Sequence, residues 1–467
     1  MLTGLHARVQ AQLKRRFDSP LFHYEQLRGM FIPLLLDQLF IYGIGLLSGA
    51  MVSSSGMGAI SAVNDAFVVS NLAYVLFSAI ATGAGIVIAR AKGAGDALSM
   101  RRAIGQSCTL CTVFGSLIGI LLYLFGAQIV RLLYPAADVQ VVEAAGEYLS
   151  VMGVSMIPYS LFNGIFTAFR SMGDTKSSLA LTLVINSIHL ICSLLYINVL
   201  HLGVSGSALS YLTARVIGMA FALFWLMRPA CALHMRWRDF ARIEKRTLKD
   251  IVSLGVPLSV EQVLFQGGML LVQLYIATLP GLQTDAQGVA NSVFLLFYVF
   301  AYSLTSIAAT VCGQCIGAKD MRLARFYCKG IIWAGRWILA FSLVILLPLM
   351  PLILKLYAPQ AEAIKYIYIA VCIGALPMPL VWPDAYVFAS CTRAAGDTVY
   401  ATVVSIATLF AGRLLLGYVL TIVLGLGMPG IWLGQLAEWC IRAACFRLRF
   451  KGTGWIKVDL SVKAISD

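Results

Sequence analysis

Apolar runs of about 18 residues or more recur along the whole length of this 467-residue chain, and each is long enough to cross about 30 Å of hydrocarbon. Nothing else in the sequence constrains the fold as strongly. A segment surrounded by lipid must satisfy its own backbone N–H and C=O groups, so runs of this length form helices. The composition agrees, with 60% hydrophobic and 12% charged residues and a mean hydropathy of +0.85, against about a quarter charged in a soluble domain. No segment is polar enough to make a separate soluble domain. Polar breaks divide the chain into twelve predicted spans, roughly at 29–53, 59–89, 103–125, 139–169, 177–199, 203–227, 251–279, 284–313, 330–354, 361–391, 398–421 and 427–447.

The net charge of +14 does not imply a nucleic-acid partner, because its distribution follows the loops. Arg90, Lys92, Arg101 and Arg102, then Arg170 and Lys176, then the basic stretch at 228–250 fall in alternate loops. That asymmetry is the positive-inside pattern. It predicts a multi-pass protein of a bacterial plasma (inner) membrane with both termini cytoplasmic. Residues 1–28 are mixed and polar with no apolar stretch, so a cleavable signal peptide is not expected and a cytoplasmic N-terminal segment is. Eleven cysteines are present. The two C-x-x-C pairs, Cys108 with Cys111 and Cys312 with Cys315, lie in or at the ends of apolar runs, and are read as packing groups rather than metal ligands.

The chain repeats itself. "RSMGDT" at 170–175 returns as "RAAGDT" 223 residues later, and "KGAGD" at 92–96 returns as "IGAKD" 224 later. "PLLLDQ" at 33–38 pairs with "PLSVEQ" at 257–262, and "LGVSG" at 202–206 with "LGMPG" at 426–430, both at 224. The basic stretch divides two halves of six spans, which enter the membrane in the same orientation because six is even. The expected fold class is therefore an all-α membrane protein, twelve helices in two six-helix lobes related by a pseudo-two-fold axis along the membrane normal. The expected organisation is a segment 1–28, an N-lobe 29–227, a linker 228–250, a C-lobe 251–447 and a cytoplasmic tail 448–467.

Charged groups at mid-membrane cost about 2.5–3.5 kcal/mol on insertion scales, so each asks for a reason. Three carboxylates stand out: Asp37 in the first span, its repeat-mate Glu261 in the seventh, and Asp384 within "VWPDAYVF" of the tenth. They are the candidate coupling sites for a proton or Na⁺, with Na⁺ binding expected at Glu261 and Asp384. Gln262, Gln266, Met269 and Gln273 share one face of the seventh span. With Gln38, Trp382 and Tyr386 these glutamines form the expected wall of a substrate cavity, where aromatic rings suit an organic cation. Pro257, Pro377, Pro379 and Pro383 predict bent helices. His189, Arg215, Arg336 and Arg413 are single intramembrane groups, read as satisfied or snorkelling. In the doubled motif, Arg170 suits the negative end of the fourth helix. Gly173 suits a left-handed helix terminus, and Asp174 the N-cap of the fifth helix. Arg393, Gly396 and Asp397 repeat the phrase, and a gating salt bridge is the alternative role for both sets.

At "PLLLDQ", "FSAIATGAGIVIARAKGAGD", "FRSMGDTK" and "SCTRAAGDT" the chain resembles the multidrug and toxic compound extrusion (MATE) family over roughly residues 29–447. The resemblance implies a two-lobe exporter that expels cationic, amphipathic organic compounds in exchange for Na⁺ or H⁺; no cofactor is expected, and a monomer is. It also implies functional acids on the seventh and tenth helices, where Glu261 and Asp384 fall. It places a further aspartate in the second half of the first helix, where this sequence reads "LLSGAMV" with Ser48. No Walker A phrase, nucleophile–base pair or metal cluster is visible, so an enzyme is not expected. The alternatives are a lipid-linked oligosaccharide flippase of the same superfamily and a non-transporting membrane scaffold or receptor.

Overall fold

The computed structural model describes residue 14 and residues 17–53, 57–133, 139–228, 233, 235–241, 244–357, 359–452 and 454–457. These residues are almost wholly helical. The elements are α1 (Tyr24–Ser53), α2 (Met57–Gly93), α3 (Ala97–Leu133), α4 (Val139–Ser171), α5 (Thr175–Ser193), α6 (Gly203–Met227) and the short α7 (Trp237–Ala241). There follow α8 (Lys245–Ile276), α9 (Gly281–Gly317), α10 (Met321–Tyr357), α11 (Ala361–Ala375), α12 (Met378–Ala394), α13 (Thr398–Thr408) and α14 (Met428–Lys451). α5 runs on through a π-helical turn at Leu194–Val199, and α13 through two, at Leu409–Leu416 and Val419–Val423. Ten helical segments are long and apolar enough to cross a membrane, and α11 with α12 make an eleventh, bent by 54°. That bend falls at the Pro377–Pro379 region as expected, since proline there removes backbone donors. α14 occupies the twelfth predicted span, and it is the one made less apolar by Glu438 and Arg442.

The repeat is written into the backbone. Eight described residues have left-handed backbones, and they form four pairs at the sequence offset: Gly95 with Lys319, Gly173 with Gly396, His201 with Gly425, and Gly203 with Gly427. At four helix ends the left-handed residue closes the same pair of bonds. After α4, Gly173 N–H reaches Arg170 O at 3.1 Å and Asp174 N–H reaches Phe169 O at 3.0 Å. Gly95–Asp96, Lys319–Asp320 and Gly396–Asp397 copy this. It is a Schellman terminus, which satisfies the last carbonyls of a helix.

The aspartate that follows then starts the next helix. Asp174 accepts from Ser177 N–H at 3.2 Å, Asp320 from Leu323 N–H at 2.9 Å, and Asp96 from Ser99 N–H at 2.9 Å. The Ser99 bonds, with Leu98 N–H, hold the Asp96 carboxyl below its ordinary value near 3.8. A depressed carboxyl stabilises the helix start above its ordinary pKa and loses that contribution as pH falls through the lowered value. Hydrogen exchange at the Leu98 and Ser99 amides should therefore accelerate, relative to other α3 amides, as pH drops from 5 to 3. In Asp96→Asn that added acceleration should be absent.

One difference between the halves has a geometric cause. The offset is 223 at the R-x-x-G-D-T phrases but 224 at "LGVSG" and "LGMPG". Between them lies the π-helical stretch Leu409–Leu416, where α5 is ordinary α-helix. A π turn carries one residue more than an α turn. One inserted residue turns the helix beyond it by about 100°, and Arg413 lies in this stretch.

The chain forms two compact units, a C-unit of residues 1–38 with 264–467 and an N-unit of residues 39–263. Their boundaries fall inside α1 and α8, not at the basic stretch 228–250. Packing explains both. The first half of α1 belongs to the C-unit core through Leu27, Met30 and Leu34, and Ser303 Oγ donates to Leu34 O at 3.3 Å. The first half of α8 lies against α2, where a Cβ added to Gly83 would sit 2.7 Å from Gly255 N. Two glycines there let the helix backbones touch. In the N-unit, α7 lies across α3, with Thr109 Oγ1 donating to Phe240 O at 2.7 Å.

Candidate functional site

The three predicted carboxylates are all buried, but they sit in different surroundings. Asp37 is enclosed in the C-unit, where Gln38 Nε2 donates to its Oδ2 at 3.4 Å. Glu261 is buried in the N-unit. Asp384, in α12, takes two guanidinium groups on one oxygen: Arg336 of α10 at 2.8 Å and Arg447 of α14 at 2.6 Å. The tenth-span aspartate is thus already charge-compensated, by one arginine the sequence reading had taken as single and by one at the end of the twelfth predicted span. Ser48 lies outside the described side chains.

The residues of the expected cavity wall differ in exposure. Gln38 is buried, Gln266 half-buried, and Gln262 and Gln273 exposed. Met269 on the same stripe meets Arg413, whose Nη1 lies 3.3 Å from the sulfur. Trp382 is a core residue, stacked on half-buried Tyr386 at 4.6 Å.

A buried charge cluster of the C-unit was missed by sequence reasoning, which had named only Arg413 of its members, as a single group. Glu438 of α14 pairs with Arg413 at 2.7 Å and with Arg442 at 2.9 Å, and all three are buried. Arg442 also donates to Ser405 O at 2.9 Å and Thr408 Oγ1 at 3.2 Å, and lies over the Tyr386 ring at 4.7 Å. The available signal was an acid and a base four residues apart within an apolar run, the spacing that places two side chains on one helix face. Arg413 could not be assigned from spacing, because the π turn moves it off its α-helical register.

The doubled turn has two different fates. Asp174 caps α5 as expected, and Ser177 Oγ adds a bond at 2.7 Å. Asp397 makes no cap bond. Arg449 holds it through Nε at 2.9 Å and Nη2 at 2.8 Å, while Lys457 N–H reaches Ala395 O at 3.2 Å. Arg170 lies over Phe166, and Arg393 donates to Ser405 Oγ at 3.3 Å.

Cysteine packing also differs from the spacing. Cys312 meets Cys328 and Cys391 of other helices, with the three sulfurs within 4.8 Å of one another. All are enclosed in the C-unit core, where thiols behave as inert apolar groups.

The N-unit holds a cavity of about 400 Å³, lined by residues of α1, α2, α4, α5 and α6. Its walls combine the aromatics Tyr74, Tyr159 and Tyr211 with Asn163, His189 and Arg215. Arg215 is buried, with its guanidinium over the Tyr159 ring at 4.2 Å and near Tyr211 at 5.3 Å. His189 stacks on Tyr211 at 4.0 Å. Two of the residues taken from sequence as merely satisfied therefore line a chamber.

Comparison with known proteins follows the same twofold pattern. The family model MatE matches twice, at residues 33–195 and 257–419, copies 224 residues apart. "Probable multidrug resistance protein YoeA" of Bacillus subtilis is 24% identical over 420 residues, covering 88% of this chain and 89% of that protein. "Probable multidrug resistance protein NorM" of Thermotoga maritima is 21% identical over 443 residues, covering 91% and 92%. A solved structure described as the outward-facing conformation of a multidrug resistance MATE family transporter superposes with a TM-score of 0.85 at 20% identity, over 91% of this chain and 95% of that one. The duplicated match, carried by an all-helical chain of membrane-spanning length, shows that this protein belongs to the MatE family of integral membrane transporters.

Proposed function

We propose that this chain is a secondary active exporter. It moves amphipathic organic compounds out of a bacterial cell across the plasma membrane, in exchange for Na⁺ or H⁺, by alternating access. Both termini are cytoplasmic and the monomer is the working unit. The observation that carries this reading is the chamber of about 400 Å³ built from membrane-spanning helices. A transporter needs a polar, ligand-sized space where lipid would reject one.

Coupling is assigned to Glu261 and Asp37, buried carboxylates at equivalent positions of the two repeats. A carboxylate at such a site holds Na⁺ or a proton, and organic cations, the expected substrates, would compete with the coupling ion there directly. Asp384 is a different case. Its charge is met by Arg336 and Arg447, so an ion engages it only as an arginine leaves.

Reconstituted into liposomes, the chain should drive ethidium flux when either a Na⁺ or an H⁺ gradient is imposed separately. Glu261→Gln should lower the gradient-dependent flux at least about tenfold, the factor expected for losing one ion-binding contact of about 1.4 kcal/mol. Asp384→Asn tests the second acid. If Glu261→Gln and Asp384→Asn both keep full gradient-driven flux, the carboxylate assignment is wrong. If neither gradient drives flux of any amphipath, the exporter reading itself fails.

A further inference from the structure

Each unit places an arginine over an aromatic ring, from the sixth span onto the fourth in one and from the twelfth onto the tenth in the other, though not at matching positions of the repeat. In the C-unit, Arg442 of α14 lies over Tyr386 of α12, and Glu438 neutralises it at 2.9 Å. In the N-unit, Arg215 of α6 lies over Tyr159 of α4 at 4.2 Å. The recorded hydrogen bonds of its guanidinium leave from Nη1, to Ser155 Oγ at 2.6 Å and, weakly, to the Met156 sulfur at 3.9 Å. No carboxylate pairs with it among the described residues. The position that Glu438 fills in the twelfth span is filled at the 224 offset by Ala214, and Ala214 lines the cavity.

A buried guanidinium without a counter-charge is costly, and an oxyanion bound beside it offsets that cost. A second observation points the same way. Asn163 Nδ2 and Ser70 Oγ, from residues 5% and 3% exposed, both line the cavity, and neither atom has a hydrogen-bond partner. Buried polar groups of this kind are normally satisfied. An amide N–H, a hydroxyl and a guanidinium lining one cavity are a donor set, and the rings of Tyr74, Tyr159 and Tyr211 supply an apolar wall.

We infer that the N-unit cavity is a binding site for an amphipathic organic anion, whose carboxylate or phosphate head lies beside Arg215. Asn163 and Ser70 donate to the same oxyanion, and the tail lies along the tyrosines. The inference rests on the exporter reading and sets the charge of what that exporter carries in its N-unit. It differs from the expectation of a purely cationic substrate, and a zwitterion would satisfy both.

The test is equilibrium binding to the full chain in phosphatidylcholine nanodiscs, with no gradient applied. Two probes share one dansyl-labelled dodecyl tail, one ending in carboxylate and the other in trimethylammonium. The carboxylate probe should bind at least about tenfold more tightly than the ammonium probe, the factor a charge-assisted hydrogen bond supplies. Arg215→Ala should remove that preference, and Arg215→Lys should keep part of it. Ala214→Glu, which adds a negative charge to the cavity wall next to Arg215, should weaken the carboxylate probe at least about tenfold. Competition by lyso-phosphatidylglycerol distinguishes the sources of the anion. Displacement at lower concentration than by unlabelled dodecanoate identifies a lipid headgroup, and the reverse identifies a free organic acid. The inference is overturned if the ammonium probe binds as well as the carboxylate, if neither probe binds, or if Ala214→Glu leaves carboxylate binding within twofold. Because binding is read without a gradient, its loss leaves the exporter reading standing, and loss of gradient-driven flux leaves the binding result standing.

Discussion

Glu438→Gln should destabilise the C-unit by about 3–5 kcal/mol, the usual result of removing one partner from a buried ion pair. The loss is large because Arg413 and Arg442 would remain enclosed with no carboxylate, at 7% and 4% side-chain exposure. For a unit of this size the apparent unfolding temperature should drop by about 10 °C. The triple variant Glu438→Leu, Arg413→Met, Arg442→Leu should lose much less, since replacing a whole buried charge cluster by apolar groups is often neutral. A thermal melt of the parent and the two variants in one detergent decides the matter. If the single variant melts with the parent, the triad is not holding α14 to α13. If the triple variant falls as far as the single one, the packing of these side chains, and not their charge, is what matters. Gly412 adds a constraint of its own, because a Cβ there would lie 2.7 Å from the Glu438 backbone. The helices must touch for the ion pairs to close.

The two copies of the R-x-x-G-D-T turn should respond very differently to the same change. Asp174→Ala removes an exposed N-cap, which costs about 1 kcal/mol. Asp397→Ala removes a buried carboxylate held by both Nε and Nη2 of Arg449, and the cost should be about 3 kcal/mol. The second substitution should also loosen the chain end beyond Arg449, where Gly396 bridges to Ile456 and Arg325 lies over Phe450 and Trp455. Limited trypsin digestion should cut Asp397→Ala in the region of residues 449–457 well before it cuts Asp174→Ala. Equal digestion of the two would mean that Arg449 does not clasp this turn.

Much of the molecule was legible in the residues. The length of the apolar runs dictates helices, because lipid offers no partner for backbone groups, and the predicted spans map onto the observed helical segments. The repeat was legible because left-handed termini demand glycine, or pay strain as Lys319 and His201 do, so turns leave recognisable letters. Asp174 as an N-cap follows from its position after such a terminus. These are local properties, set within a few residues by backbone sterics and hydrogen bonding.

The site was legible only where charge stood out against an apolar background. Asp37, Glu261 and Asp384 were conspicuous for that reason, yet spacing could not say that Asp384 faces Arg336 and Arg447, which lie 48 and 63 residues away. Nor could it show that Asp397, in the same R-x-x-G-D-T phrase as Asp174, would be claimed by an arginine from another helix. Arg215 and His189 read as isolated groups because their neighbours come from other spans. The sequence established the helices, their ends and the duplication. Packing alone chose which buried charges meet, which cysteines touch, and which side chains line the N-unit chamber, because those outcomes depend on side chains distant along the chain and on a single π turn that re-aims Arg413.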